Sequence, residues 1–237
     1  MNAAPAADAG GCLTPLNGRA GELTSVLIHP AGGGLGAYLG LAAMLSRRGM
    51  VHGLRASGLR PGEEPDRTIE ALTARYLPLI EALPDRPGLL AGWSLGGILA
   101  WELAVRLAVT GPPPAVLLID SLAAPLPGHR IARTDLRAAV LSELAGEPDP
   151  AVRERALRTA DAHLSAAAGY LARSVHLGPA LLITCAGEER AGQAEHWARH
   201  CPGLRAREIP GGHFDVFTGE NLALIRRHLD DFLSGRT

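Results

Sequence analysis

Two patterns of apolar and polar positions alternate along the chain. Several short apolar runs stop at a glycine, a proline or an aspartate, as buried strands do, and longer segments repeat apolar residues every three or four positions, as helices do. The predicted strands are 25–29, 50–56, 88–92, 115–119, 180–185 and 204–209. The predicted helices are 35–48, 66–83, 95–108, 193–200 and 221–233. This alternation predicts an α/β fold with a mostly parallel sheet flanked by helices.

The alternation is interrupted once. Residues 121–175 contain no convincing strand and are predicted to form helical pieces broken at proline and glycine residues. Because the sheet needs the strand that follows, we interpret this stretch as a helical lid, about 122–177, inserted between two strands of one sheet. Residues 1–21 are rich in Ala, Gly and Pro without periodicity and are expected to be a tail or linker, which leaves 22–237 as one domain.

The second predicted helix contains a candidate N-cap and an internal proline. We expect Asp66 to be its N-cap, because a carboxylate there can accept hydrogen bonds from the first free amides of a helix. Pro78 has no N–H to donate and is expected to kink or locally break the helix.

The composition excludes several classes of function. Apolar residues make up 47% of the 237 residues and charged residues 20%, which is ordinary for a soluble globular protein. A formal charge of −1 argues against nucleic acid as a partner. No apolar run is long enough to span a bilayer and the N-terminus lacks signal-peptide features, so we expect no membrane association. Cys12, Cys185 and Cys201 show no CxxC spacing, so neither a disulfide framework nor a metal site is expected, and the expected location is the cytoplasm.

Ser94 is the strongest candidate for a catalytic residue. It stands in a G-x-S-x-G segment, 92–96, between a predicted buried strand and a predicted helix. In that setting the small residues permit a sharp turn that exposes the serine hydroxyl above the sheet. The amide of Leu95, at the helix N-terminus, would then face the oxygen on which negative charge develops. The segment predicts a serine nucleophile in an α/β-hydrolase fold.

A serine hydroxyl needs a base, and His213 is the best candidate. It follows the last predicted strand and precedes the last helix, at the carboxyl edge of the sheet where ligands bind in open α/β folds. Two positions can supply the acid that orients this histidine. Asp120 comes directly after the strand 115–119, whereas Glu188 and Glu189 follow the strand 180–185.

A glycine-rich loop after the first predicted strand completes the candidate site. The segment 29–34 reads HPAGGG, and the backbone N–H of Ala31 or Gly32 can pair with that of Leu95 to form an oxyanion hole. The loop matches neither G-x-G-x-x-G nor the P-loop pattern and has no lysine, so a nucleotide site is not expected.

At these residues the chain resembles the thioesterase domains that end nonribosomal peptide synthetases and, more distantly, polyketide synthases. The shared segments are HPAGG at 29–33, GWSLGG at 92–97, LIDS at 118–121 and GHF at 212–214. The resemblance implies that Asp120 is the acid of the triad and that 121–175 forms the family's lid. Related editing thioesterases carry the acid after the later strand, where this chain has Glu188.

The resemblance also implies a substrate and a partner. Substrates of the family arrive as acyl thioesters on the phosphopantetheine arm of a carrier protein, and the acyl chain passes to the serine before release by hydrolysis or cyclisation. We expect no cofactor bound to this chain itself. A carrier domain is expected elsewhere, so the chain is either an excised domain or acts in trans. An editing thioesterase that removes aberrant acyl groups and an esterase for small esters are the alternatives.

Overall fold

The computed structural model describes residues 11–17, 20–124, 132–187 and 192–235. The strands are β1 (Leu13–Pro15), β2 (Ser25–Ile28), β3 (Val51–Leu54), β4 (Leu89–Trp93), β5 (Ala115–Ile119), β6 (Ala180–Cys185) and β7 (Leu204–Ile209). The helices are α1 (Leu39–Leu45), α2 (Ile69–Glu81), α3 (Leu95–Leu107), α4 (Arg133–Glu143), α5 (Pro150–Ala167), α6 (Gln193–Ala198) and α7 (Gly219–Ser234). The predicted α/β fold is confirmed.

Within the described ranges the strands form one sheet in the order β1-β3-β2-β4-β5-β6-β7. Strands β2 to β7 run parallel, and β1 alone is antiparallel to its neighbour β3. Trp93 pairs with Ile119 at the last register position of β4 and β5. The residues that follow them, Ser94 and Asp120, therefore leave the same edge of the sheet from adjacent strands.

The sheet is buried on both faces, because its strands alternate between two apolar clusters. In β5, Val116 and Leu118 join the cluster on one face, where the helices α2 to α6 pack. Leu117 and Ile119 join the cluster on the other face, where α1 and α7 pack. None of the helices in the described residues combines the length and apolarity that a membrane crossing requires.

Helices α4 and α5 lie between β5 and β6, where the sequence predicts the helical lid. We refer to these two helices as the insertion. Its outer surface carries ion pairs between the helices, in which Arg133 and Arg137 both contact Asp161. Thr159 and His163 of α5 are fully buried on the side of the helix that faces the domain.

Three local expectations differ from the structure. Residues 13–15 form β1, so the expectation of an unstructured tail over 1–21 is wrong for this strand, which β3 holds by edge pairing rather than by an apolar pattern of its own. The helix predicted over 35–48 begins as a 3-10 turn and becomes α1 only at Leu39. The N-cap of α2 is Thr68, whose side chain accepts a hydrogen bond from Ala71 N, and the helix continues past Pro78 without a break.

Candidate active site

Ser94 occupies a sharp turn between β4 and α3. Its backbone has φ 58° and ψ −122°, a conformation that residues other than glycine rarely adopt. Backbone strain of this kind is found mainly at functional sites. The turn closes because its flanking residues lack side chains. A Cβ on Gly92 would lie 2.1 Å from the carbonyl carbon of Gly96, and a Cβ on Gly96 would lie 2.2 Å from the carbonyl oxygen of Ile28. The glycines predicted from the G-x-S-x-G pattern are therefore required by close backbone packing.

Asp120 and His213 form a hydrogen-bonded pair at the same edge of the sheet. The Nδ1 atom of His213 lies 2.6 Å from Oδ2 of Asp120, and because a carboxylate only accepts, Nδ1 carries the proton. Nε2, on the far side of the ring, is then the nitrogen that can accept a proton from a nucleophile. Asp120 is only 2% exposed, and its second oxygen accepts a hydrogen bond from Cys185 N. The acid is thus held between β5 and β6 in one orientation.

Among the described residues, the hydroxyl of Ser94 makes no side-chain hydrogen bond, so the structure brings nucleophile and base to one edge without joining them directly. Such catalytic hydrogen bonds are often long before substrate binds. The ring of Trp93, the residue before the serine, packs 5.0 Å from the ring of His213. Phe214 closes the same group, with its ring 6.1 Å from Trp93 and 5.1 Å from His213. This aromatic contact ties the imidazole to the turn that carries Ser94.

The glycine-rich loop follows β2, next to β4 in the sheet. Gly33 N donates to the carbonyl of Pro30 at 2.8 Å, which closes a tight turn, and Gly33 has a φ of 83°. Within the described part of the chain, the amides of Ala31 and Gly32 donate to no protein acceptor. The amide of Leu95 begins α3 and so has no acceptor one turn earlier in the helix. These are the three amides from which the sequence predicts an oxyanion hole.

Tyr38 links the loop strand to the nucleophile strand. Its hydroxyl donates to the carbonyl of Ile28 at 2.7 Å and accepts from the amide of Trp93 at 2.8 Å. Burial raises the pKa of this phenol, with the Trp93 amide acting in the opposite direction. Tyr38 therefore stays protonated and holds the ends of β2 and β4 at a constant spacing.

The insertion packs directly on the glycine-rich loop. A Cβ on Gly32 would lie 3.2 Å from Cγ2 of Val140 in α4, and one on Gly33 would lie 3.2 Å from Cγ2 of Thr159 in α5. His163 of α5 reaches the loop with a ring nitrogen, Nδ1, 3.0 Å from the carbonyl oxygen of Ala31. The sequence analysis assigns no role to His163. Its only signal is its place on the buried face of α5, where it follows Ala156 and Ala160 at helical spacing.

The structure therefore brings together Ser94, Asp120, His213 and the loop at the carboxyl edge of the sheet. The alternative acids, Glu188 and Glu189, lie outside the described residues.

The chain matches the family model described as thioesterase domain over residues 26–233. AMB antimetabolite synthetase AmbE of Pseudomonas aeruginosa is 31% identical over 229 residues, which cover 88% of this chain and 11% of that protein. Nonribosomal peptide synthetase btyA of Aspergillus terreus is 42% identical over 82 residues, which cover 34% of this chain and 9% of that protein. The chain thus spans about a tenth of the length of these relatives.

Solved structures show the same architecture. The NocB thioesterase domain from the nocardicin cluster superimposes with a TM-score of 0.74 at 24% identity, covering 95% of this chain and 100% of that one. A covalent complex of the NocB domain with a fluorophosphonate nocardicin G analogue superimposes with a TM-score of 0.74 at 25% identity, covering 94% of this chain and 100% of that one. Since the family model matches nearly the whole described domain, the chain belongs to the thioesterase domain family.

Proposed function

We propose that this protein is a serine thioesterase that releases an acyl chain from the phosphopantetheine thioester of a carrier protein through an acyl-Ser94 intermediate. The observation that carries the proposal is the 2.6 Å hydrogen bond between Asp120 and His213, at the sheet edge where the strained turn presents Ser94. Asp120 is the acid of this triad, because it already holds the proton of His213 on Nδ1.

In the acylation step, Nε2 of His213 takes the proton of Ser94 while the serine oxygen attacks the thioester carbonyl carbon. The carbonyl electrons move to the oxygen, which the amides of Leu95 and of Ala31 or Gly32 stabilise. Each such donor typically contributes about 3 to 4 kcal/mol to lowering the barrier. The oxyanion then collapses, the carbon–sulfur bond breaks, and the imidazolium returns its proton to the leaving thiolate.

The release step repeats the chemistry with a new nucleophile. His213 removes a proton from water, or from a hydroxyl or amine of the acyl chain itself, and that atom displaces Ser94 as an alcohol. Water yields a free acid and an internal nucleophile yields a ring. The insertion packs on the loop, and we propose that it limits the access of water and so influences this choice. Protons and electrons balance without any group beyond substrate and nucleophile, so we propose that no cofactor is bound.

The comparisons support the substrate class. The relatives AmbE and btyA are synthetases of which this chain matches about a tenth, so the remaining length of such proteins is available for a carrier domain. We propose that a carrier protein delivers the substrate here as well, either on the same polypeptide or as a separate partner.

A direct test offers the protein three substrates at matched acyl groups: an acyl-pantetheine thioester, a simple ester and an acyl-loaded carrier protein. Intact-protein mass spectrometry follows acylation, and Ser94→Ala is the control. We expect an adduct of the acyl mass on the wild-type protein only, formed fastest from the carrier. Equal rates with the simple ester would instead indicate an esterase. When the three substrates are made again with a shorter acyl group, a preference for the shorter group would indicate an editing enzyme. An adduct on Ser94→Ala would refute the mechanism.

A further inference from the structure

His163 is a buried residue that the proposed chemistry does not use. It lies on α5 of the insertion, is fully inaccessible to solvent, and contacts the glycine-rich loop across 132 residues of sequence. A carbonyl oxygen only accepts hydrogen bonds, so the 3.0 Å contact with the carbonyl of Ala31 requires the proton to sit on Nδ1 of His163. The insertion therefore donates one hydrogen bond to the backbone of this loop.

A second imidazole holds the preceding peptide of the loop. Nδ1 of His29 lies 2.8 Å from the carbonyl oxygen of Pro30 and must donate to it, which leaves Nε2 to accept from the hydroxyl of Tyr76 at 2.7 Å. The rings of His29 and His163 are stacked, with centroids 5.0 Å apart and planes 18° from parallel. Two stacked rings thus donate to two consecutive carbonyls of the loop.

These two carbonyls belong to the peptide groups that carry the candidate oxyanion donors. A peptide group is planar, so the direction of its C=O determines the direction of its N–H. The carbonyl of Pro30 shares a plane with the N–H of Ala31, and the carbonyl of Ala31 shares a plane with the N–H of Gly32. A hydrogen bond to each carbonyl therefore fixes the direction in which each N–H points.

We propose that His163 is a positioning residue for the oxyanion hole, which holds the Ala31–Gly32 peptide group through its Nδ1–H while His29 holds the peptide group before it. This inference rests on the proposed serine thioesterase function. It implies that the oxyanion hole is complete only when α5 of the insertion is docked on the loop.

The other nitrogen of His163 argues against a packing role alone. Nε2 is buried without a hydrogen-bond partner among the described residues, and an acceptor orphaned in this way is destabilising. An apolar ring would fill the same space without that cost. Burial lowers the pKa of His163 to about 4, so the ring is neutral near pH 7 and its single N–H is committed to the carbonyl of Ala31.

Three variants at one position test the proposal. An asparagine amide can place its N–H₂ group near the position of Nδ1, a glutamine amide places it near Nε2, and phenylalanine keeps the ring without any donor. His163→Asn, His163→Gln and His163→Phe are compared with wild type by rapid-quench acylation with an acyl-pantetheine thioester. The affinity for an alkyl trifluoromethyl ketone is measured in parallel, because its adduct with Ser94 places an oxyanion in the hole.

We expect His163→Phe and His163→Gln to acylate at least about tenfold more slowly, a smaller effect than the roughly 10²- to 10³-fold loss when an oxyanion donor is removed outright, with little change in half-saturating substrate concentration. The affinity for the ketone should fall by a similar factor. His163→Asn should recover most of both losses. If the phenylalanine variant does not fold, the contrast between asparagine and glutamine decides alone.

Equal acylation rates in asparagine, glutamine and wild-type proteins would overturn the positioning role, as would equal losses in both amides. These outcomes are separable from failure of the proposed function. If the proposed function fails, the wild-type protein itself forms no acyl adduct on Ser94, whatever residue stands at position 163.

Discussion

The carboxyl edge of the sheet and the insertion hold their polar residues in different ways. At the sheet edge, Asp120 follows the end of β5, which pairs with β4 on one side and β6 on the other. The register of these strands decides where Asp120 lies. In the insertion, His163 is placed by the packing of a helix side against a loop. The first arrangement depends on backbone hydrogen bonds, and the second on side-chain contacts.

This difference has a consequence for the proposed chemistry. Ser94 and Asp120 leave adjacent paired strands, where small displacements are costly, and His213 is held by its hydrogen bond to Asp120. The group that we infer to position the oxyanion loop sits on helices whose outer surface carries partly exposed ion pairs, such as Arg137 with Asp161. Changes at the sheet edge should therefore affect chemistry most, whereas changes in the insertion should divide between rate and stability.

The largest effect is expected from Asp120→Asn. An asparagine amide would favour the wrong tautomer of His213 and could not stabilise its imidazolium, so the acylation rate should fall by about 10⁴-fold. Glu188→Gln, which alters the alternative acid, is the matched control and should retain most activity. Rapid-quench acylation of both variants makes the comparison. A larger loss in Glu188→Gln than in Asp120→Asn would move the acid to the later strand.

The second-largest effect is expected from the packing between Gly97 of α3 and Ser121, close to the nucleophile. A Cβ on Gly97 would lie 2.0 Å from Oγ of Ser121 and 2.7 Å from its Cβ, so Gly97→Ala must displace α3 or β5. We expect it to lower the free energy of unfolding by about 3 kcal/mol, at the upper end for overpacking. Chemical denaturation of Gly97→Ala, Ser121→Gly and the double variant measures the coupling. Additive losses, with no rescue in the double variant, would contradict this account.

The third effect is the acid sensitivity that His163 gives to the insertion. Burial lowers the pKa of His163 to about 4, although its hydrogen bond to the Ala31 carbonyl and the nearby charge of Asp66 act to raise it. In the unfolded chain this residue is therefore protonated as the pH falls below 6.5, whereas in the folded protein it is protonated only near pH 4. Stability is lost as the pH falls through this window.

His163→Phe should remove that loss. Between pH 7 and pH 4.5 the free energy of unfolding should decrease in both proteins, and the decrease should be about 2 to 3 kcal/mol smaller in the variant than in wild type. Part of the acid sensitivity should remain, because burial, with His163 adding to it, lowers the pKa of His29 to about 3. Urea denaturation at a series of pH values tests this. Parallel pH profiles for variant and wild type would show that His163 does not titrate in this way.

The smallest effect is expected on the outer face of the insertion. Arg137 pairs with Asp161 at 2.8 Å, with both side chains partly exposed, so Arg137→Gln should cost less than about 1 kcal/mol. The cost should disappear in high salt, and the acylation rate should not change. A loss of rate without a loss of stability would show that this surface contributes to substrate or carrier binding.

Much of the sheet and of the candidate site followed from local patterns. The bounds of β5, β6 and β7 agree with the predicted strands 115–119, 180–185 and 204–209, because a short run closed by turn residues is a local signal. The G-x-S-x-G segment likewise predicted the turn at Ser94, since its glycines are needed within a few residues of each other.

Local patterns failed where a distant partner decided the outcome. Asp66 was the expected cap of α2, but its carboxylate forms an ion pair with Arg75, and Thr68 takes the cap position. Strand β1 has no strong apolar pattern and exists through pairing with β3.

By itself the sequence determined the order of the elements, the turn that presents Ser94 and the position of His213 after the last strand. It left two acids open, because Asp120 and Glu188 both follow strands. Tertiary structure decided that Asp120 meets His213 across 93 residues and that His163 meets the carbonyl of Ala31 across 132. Hydrogen bonds between such distant segments depend on how helices and strands pack, and no periodicity within either segment encodes them.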